Sequence, residues 1–403
     1  MPHIHLPRPV EPDLLQRWTA QRLNERLDAG DRARDEITAA EWPAERTRRR
    51  ELLRQVLVPD WERPDPCATE TGRIDRDVDG VRWTIHKLRF QSLPDYWVTA
   101  LLYIPESLQS AIHTAPAVLL AQGHSELAKA YPEYHSLSEE LCRHGIVVLA
   151  YDPPGQGERV MNWDWMRNRY DIGWGTREHD VFGMNALLCG WPSAQAWVWD
   201  GMRALDVLLA QPQVNAARVG ICGVSGGGTQ TTWMLAADDR LTHASPACYI
   251  TSWCEQFDAK LAADPEQHPF PIMAWGWDQA DVLASFAPKP LMITAVTDDF
   301  FPIAGTRRTY DALKSLYGKI GAPDAVTLSE TPDVGHGYSP PVREATVRWF
   351  CDQFGLQFRG GIPARDILDG EALRVTSTGQ LFTSGFTRTL HEIIADTRPQ
   401  PTD

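Results

Sequence analysis

The apolar positions along the chain change their period twice. From residue 12 to about 57 they recur at helical spacing. In EPDLLQRWTAQRLNERL, Leu14, Leu15, Trp18, Leu23 and Leu27 fall on roughly one face. EWPAERTRRRELLRQVL reads as a second helix with a proline near its start, and a proline-rich link, PDWERPDP, follows. The period then drops to two. VRWTIHKLRF (81–90) and YWVTALLYIP (96–105) alternate and are rich in β-formers, which predicts an antiparallel pair. Next come short, continuously apolar runs, PAVLLAQ (116–122) and GIVVLAY (145–151), the pattern of strands buried on both faces. ARVGIC (217–222), HASPACYI (243–250), PLMITAV (290–296) and AVTLSET (325–331) continue the series. Helical stretches at 133–144, 194–210, 226–238, 304–317 and 341–354 separate them. Such alternation predicts an α/β fold, a mostly parallel central sheet flanked by helices.

The expected organisation is a helical N-terminal extension (1–70), an α/β body (71–355) and a C-terminal strap (356–403). In the strap, LRVTSTGQLFTS suggests a hairpin around Ser377–Gly379, followed by a helix over 387–395 and a frayed end. One stretch of the body breaks the rhythm. Residues 157–192 lie between a strand and the next long helix and carry Trp163, Trp165, Trp174 and Trp191. Long excursions in compact domains tend to be functional lids.

Composition narrows the partners. Across 403 residues, 39 Lys+Arg against 53 Asp+Glu leave a formal charge of −14, which repels phosphate backbones and anionic lipid. Neither nucleic acid nor a membrane surface is expected as a partner. The Arg46–Arg50 run, flanked by acidic residues, reads as a solvated helix face rather than a nucleic-acid patch. None of the seven cysteines forms a C-x-x-C pair, so neither a disulfide framework nor a zinc knuckle is expected. No run approaches the ~18 apolar residues of a membrane span. MPHIHLPRPVEPD lacks the apolar core of a signal peptide, and a cytoplasmic setting is the default expectation. Sixteen tryptophans are many for this length, and a use for them has to be found.

The chemistry concentrates in RVGICGVSGGGTQTTWML. Gly223-Val224-Ser225-Gly226-Gly227 is a Gly-x-Ser-x-Gly between an apolar strand and a helix, the setting of a nucleophile elbow. A serine nucleophile needs a base, and the base an orienting acid. In chain order the base comes last, and the candidates are His243, His268, His336 and His391. His336, in the Gly-flanked loop PDVGHGYSPP between the last strand and the last helix, suits the role. For the acid, Asp298 and Asp299 compete after PLMITAV; the usual strand-to-loop spacing favours Asp299. An oxyanion hole would take the N–H of Gly226 and, from the loop Gln122-Gly123-His124-Ser125, that of His124. The His124 side chain reads as loop packing rather than as a catalytic or metal-binding group. Asp152 reads as structural. Glu178 and His179 could contact substrate or form a loop salt bridge. Trp163, Trp165 and Trp174 could line an apolar acyl or aryl pocket or fasten the lid. A P-loop, a dinucleotide fingerprint and an H-E-x-x-H are all missing, so no cofactor and no metal are expected.

Four stretches carry a resemblance. They are AQGHSELAKAYPEYHSL with VVLAYDPPGQGER; GTREHDVFGMNALLCG with WDGMRALDVLL; CGVSGGGTQTTWMLAADDR with SPACYITSW; and DDFFPIAGTRRTYDALK with GHGYSPPVREATVRWF. Together they make residues 116–352 resemble the α/β-hydrolase superfamily, within it the bacterial acetylxylan-esterase-like group. The resemblance implies an α/β-hydrolase fold and a carboxylic-ester hydrolase. It places the acid directly before Phe-Phe, matching Asp299, and the oxyanion loop at Gly123-His124. The substrate expected is a small or medium-sized ester, partly apolar or ring-containing. Carbon–carbon, lactone or amide cleavage on the same triad is an alternative, as is a non-catalytic binding protein on a hydrolase scaffold. The N-terminal helices could form a lid, a brace or the arm of a homodimer.

Overall fold

In the computed structural model, which describes residues 13–108, 114–164, 166–261, 263–363, 366–385 and 387–396, two helices precede the body, α1 (Leu14–Glu36) and α2 (Trp42–Leu57). Pro43 sits in the first turn of α2, where its missing N–H costs nothing. Leu27 of α1 and Trp42, Leu53 and Leu57 of α2 share one apolar core with the sheet and its helices. The Arg46–Arg50 run is not the solvated face expected from its pattern. Arg49 is buried against the carboxylate of Asp281 at 2.7 Å, where Arg34 also closes at 3.1 Å. Arg50 is buried too and donates to the carbonyl of Leu235 at 2.7 Å. A fully buried carboxylate requires paired charge, and the sequence pattern of α2 does not reveal a partner 232 residues away.

The body follows in strand–helix alternation. After β1 (Thr69–Val78), β2 (Val81–Leu93), β3 (Tyr96–Pro105) and β4 (Ala115–Ala121) come α3 (Pro132–Arg143) and β5 (Val147–Tyr151). The 157–192 excursion holds a two-strand ribbon, β6 (Trp163–Asp164) and β7 (Arg169–Tyr170), and α4 (Thr176–Leu188). Then follow α5 (Ala194–Leu209), β8 (Val214–Val224), α6 (Gly226–Ala237), β9 (His243–Ala247), α7 (Trp253–Asp258), α8 (Gln279–Ala284), β10 (Leu291–Asp298), α9 (Ile303–Lys319), β11 (Val326–Gly335) and α10 (Pro340–Phe354). Nine strands form one sheet in the order β1-β2-β3-β5-β4-β8-β9-β10-β11. Pairing is antiparallel from β1 to β5 and parallel from there to β11. Every residue of β4 and β5 is buried, as their unbroken apolar runs require. Alternate residues serve opposite faces: Ala117 and Leu119 join the core with α2, α5 and α6, whereas Val118 and Leu120 join the one with α3 and α10. β1 escapes sequence reading because TETGRIDRDV is a polar, largely exposed edge strand with no apolar alternation.

The C-terminal strap differs from the expected hairpin. Residues 374–380 form an irregular, bent segment that leads to the short helix α11 (Leu381–Ser384). Among the described residues, no partner strand takes their backbone donors. Instead Val375 and Thr376 donate their N–H groups to the buried carboxylate of Glu158 at 2.8 and 2.7 Å. A last helix, α12 (Leu390–Asp396), buries Leu390, Ile393 and Ile394 with Phe182 and Trp197. Half of the sixteen tryptophans are core residues: Trp42, Trp83, Trp197, Trp199, Trp233, Trp253, Trp277 and Trp349 are buried. Trp191 stacks on Trp61 at 5.6 Å, tying the end of the excursion to the link after α2. Among the described residues, no helix is long and apolar enough to cross a membrane.

Candidate active site

The turn from β8 into α6 is as tight as the glycine pattern demands. Ser225 holds φ +59° and ψ −124°, a region that side chains rarely adopt and that costs about 1–3 kcal/mol. Its N–H donates to the Ala247 carbonyl at 2.9 Å, which pins the strained residue to β9. Glycine is required on either side. A Cβ at Gly223 would stand 2.5 Å from the Gly227 oxygen, and one at Gly227 would stand 2.3 Å from the Ala121 oxygen. Ser225 occupies the N-cap of α6, yet its hydroxyl makes no capping bond. An N-cap serine normally spends its oxygen on the helix. Here Oγ is left for other use, beside the positive end of the helix dipole.

The loop after β4 lies against this turn. A Cβ on Gly123 would come within 2.3 Å of the Val224 oxygen and 3.2 Å of Ser225 Cβ, so only glycine lets the two backbones approach. The Gly123 carbonyl accepts a bond from Gln156 Nε2 at 3.0 Å. In a trans peptide the N–H points opposite the C=O, so this bond sets the direction of the His124 N–H. The His124 ring covers Gly226: a Cβ there would meet His124 Cε1 at 2.8 Å.

Sheet register brings the next two groups together. β10 and β11 remain paired to Asp298 opposite Gly335. The residues immediately beyond that pair are Asp299 and His336, and His336 Nδ1 lies 2.8 Å from Asp299 Oδ1. The Asp299 carboxylate is buried, with 3% of its side chain exposed, and also accepts the Phe301 N–H at 3.0 Å. Asp298 is exposed. The ring of His336 packs on Phe300 with centroids 4.2 Å apart. From α3, Glu133 accepts the Tyr338 N–H at 2.9 Å and steadies the loop that carries His336. Cys248, not singled out from the sequence, is buried beside the pair, its thiol pushed up to about 12 chiefly by burial. Its strained backbone, φ +47°, directly follows the residue that binds the Ser225 N–H. Ser225, Asp299 and His336 thus each follow a parallel strand at its C-terminal end, where open α/β sheets bind ligands.

The other residues named from the sequence are distributed differently. Glu178 is fully buried and turns both carboxylate oxygens to the excursion's own backbone, accepting from Met161 N at 2.8 Å and Asn162 N at 2.6 Å. Burial raises its carboxyl above the usual range. His179 is buried beside His124 and Glu266. Trp163 packs edge-on against Tyr170 across the ribbon, and Trp174 is half-buried. Trp165 lies outside the described residues. Asp152 is saturated by Thr99, Lys129 and the Glu158 N–H. His243 lies at the start of β9, at the opposite end of the sheet from Ser225, against Phe354.

This mostly parallel sheet, with a strained serine between strand and helix and an Asp–His pair beyond two later strands, is the α/β-hydrolase fold. The comparisons with known proteins agree with this fold. Residues 194–356 match the prolyl oligopeptidase family. The chain is similar to YtaP of Bacillus subtilis (strain 168), whose name assigns it only to the hydrolases. Identity is 27% over 322 residues, covering 75% of this chain and 97% of that protein. Among solved structures it is similar to methylesterase BT1017, with a TM-score of 0.66, 21% identity and coverage of 94% of this chain and 78% of that one. It is also similar to a candidate acetyl xylan esterase from Bacteroides fragilis NCTC 9343, with a TM-score of 0.56, 18% identity and coverage of 90% and 88%.

Proposed function

We propose that the chain hydrolyses a carboxylic ester through Ser225, His336 and Asp299. One observation carries this reading. The Asp299–His336 pair follows the sheet register directly beyond β10 and β11, on the same edge where β8 delivers the strained, uncapped Ser225. His336 takes the Ser225 proton as Oγ attacks the ester carbonyl. Asp299 holds the ring so that Nε2 faces the serine, and it stabilises the imidazolium that forms. The N–H groups of Gly226 and His124 receive the oxyanion. His336 returns its proton to the departing alcohol, and water repeats the sequence on the acyl-enzyme. Phe300, half-exposed on the face of His336, favours a substrate with an apolar or ring-shaped part. The esterases among its structural neighbours agree with an ester bond.

A second reading, amide cleavage on the same groups, draws on the match of residues 194–356 to a peptidase family. Turnover of p-nitrophenyl acetate and longer p-nitrophenyl esters, set beside amide analogues, distinguishes the two. Ester turnover abolished in Ser225→Ala supports the first. Amide turnover with no ester turnover supports the second.

A further inference from the structure

Behind the candidate oxyanion hole, three side-chain atoms from three separate segments converge, those of His124, His179 and Glu266, with Asp264 at their edge beside His124. His124 Nε2 lies 3.1 Å from His179 Nδ1, 3.2 Å from Glu266 Oε1 and 3.4 Å from Asp264 Oδ2. His179 Nδ1 is itself 3.1 Å from Glu266 Oε1. His124 belongs to the loop after β4, His179 to α4, and the two carboxylates to the turn around Pro265. These segments are pressed close. Gly183 of α4 approaches Pro265 so nearly that a Cβ would stand 2.3 Å away.

With His179 neutral, hydrogen bonding leaves this cluster short of protons. His179 Nε2 faces the Pro154 carbonyl at 2.9 Å, and a carbonyl only accepts, so Nε2 carries the hydrogen. In neutral His179 the lone pair at Nδ1 then points into the cluster. A single hydrogen on His124 Nε2 can serve one of three acceptors at most. The other carboxylate oxygen, Glu266 Oε2, is buried without any partner, on a residue only 2% exposed. Two carboxylates 3.2 and 3.4 Å from the same nitrogen repel one another.

The spacing suits a cation. Ligand atoms about 2.0–2.1 Å from a tetrahedral zinc ion stand about 3.3–3.4 Å apart. The bond from His179 Nε2 to a backbone carbonyl is the outer-sphere contact that fixes a ligating tautomer. We propose that His124, His179 and Glu266 bind one divalent ion of the zinc class, with Asp264 beside it as an outer-sphere carboxylate, and that the ion clamps α4 and the Pro265 turn to the loop carrying His124. The Glu266 carboxylate and the neighbouring Asp264 balance the charge of such an ion. The clamp would fix the His124 peptide from its side-chain end, as Gln156 fixes it from the backbone.

The test uses the full chain without a histidine tag, stripped with chelator and titrated with Co2+ alone, then with Zn2+ alone. One equivalent of Co2+ with the intense visible band of tetrahedral coordination is expected, together with a rise in Tm on adding stoichiometric Zn2+. Glu266→Gln and the part-exposed Asp264→Asn should each weaken Co2+ binding by more than about tenfold, the loss that even an outer-sphere partner can cause. A His3→Ala/His5→Ala variant should bind as the parent does. Absence of a saturable band and of any Tm change overturns the proposal, as does unchanged affinity in a folded Asp264→Asn or Glu266→Gln variant. Metal content and spectrum are read without activity, so this outcome is independent of the esterase reading.

Discussion

Replacing Asp299 by Asn keeps the size of the side chain and removes its charge. The Phe301 N–H can still be satisfied, and Phe300 still packs on the ring of His336, so the loop should hold its shape. What disappears is a carboxylate 2.8 Å from Nδ1, buried to 3% exposure. At that distance and an effective dielectric near 20, the attraction to an imidazolium is about 6 kcal/mol. At 1.36 kcal/mol per tenfold, its loss corresponds to roughly four orders of magnitude in rate. A triad acid exchanged for its amide loses about as much elsewhere, because the ring then settles in the wrong tautomer. The assay is kcat/KM for p-nitrophenyl acetate, with thermal unfolding to show that the variant folds. Asp298→Asn serves as the control: that carboxylate is exposed, and less than about a twofold change is expected. If Asp299→Asn stayed within about tenfold of the parent while Asp298→Asn lost activity, the assignment of the acid would be refuted.

Three further outcomes follow from other contacts. Gln156→Ala should lower kcat by about ten- to a hundredfold with little change in KM, because it frees the His124 peptide and weakens one oxyanion donor; an altered KM alone would argue against that role. Gly227→Ala forces a Cβ to within 2.3 Å of the Ala121 oxygen and should destabilise the fold by at least about 2 kcal/mol in urea unfolding; an unchanged midpoint would refute the crowding argument. Burial, with Arg218 nearby, lowers the His243 imidazole to about 4. The unfolded state, with a histidine pKa near 6.5, therefore binds the proton first as pH falls. Stability should decline between about pH 6.5 and 4, and His243→Gln should flatten that decline in Tm measured against pH; an unchanged slope would count against it.

Much of this was visible before any coordinates, and the exceptions share a cause. Continuous apolar runs such as PAVLLAQ mark buried parallel strands because nothing else in a soluble body tolerates them. The elbow at Ser225 is legible because its glycines answer a steric need set within five residues. Asp299 and His336 lie 37 residues apart; order along the chain suggested them, and register explains why they meet. The misread features depend on distant partners. Arg49 and Arg50 look solvated in sequence because Asp281 and the Leu235 carbonyl are far along the chain. Strap residues 374–380 look like a hairpin because Glu158, which replaces the missing strand, cannot be seen locally. His124, His179 and Glu266 meet through the packing of α4 on the Pro265 turn, and no spacing rule announces that cluster. Half of the sixteen tryptophans find their use in the core, which their count alone does not reveal.

The central claim is that Ser225 is the nucleophile. Treating the protein with a fluorophosphonate probe and mapping the adduct by mass spectrometry tests it most directly. The account predicts one stoichiometric adduct, on Ser225. It also predicts that Ser225→Ala takes up no probe and loses ester turnover by about 10³-fold or more. An adduct on another residue, or near-normal turnover in Ser225→Ala, would contradict it.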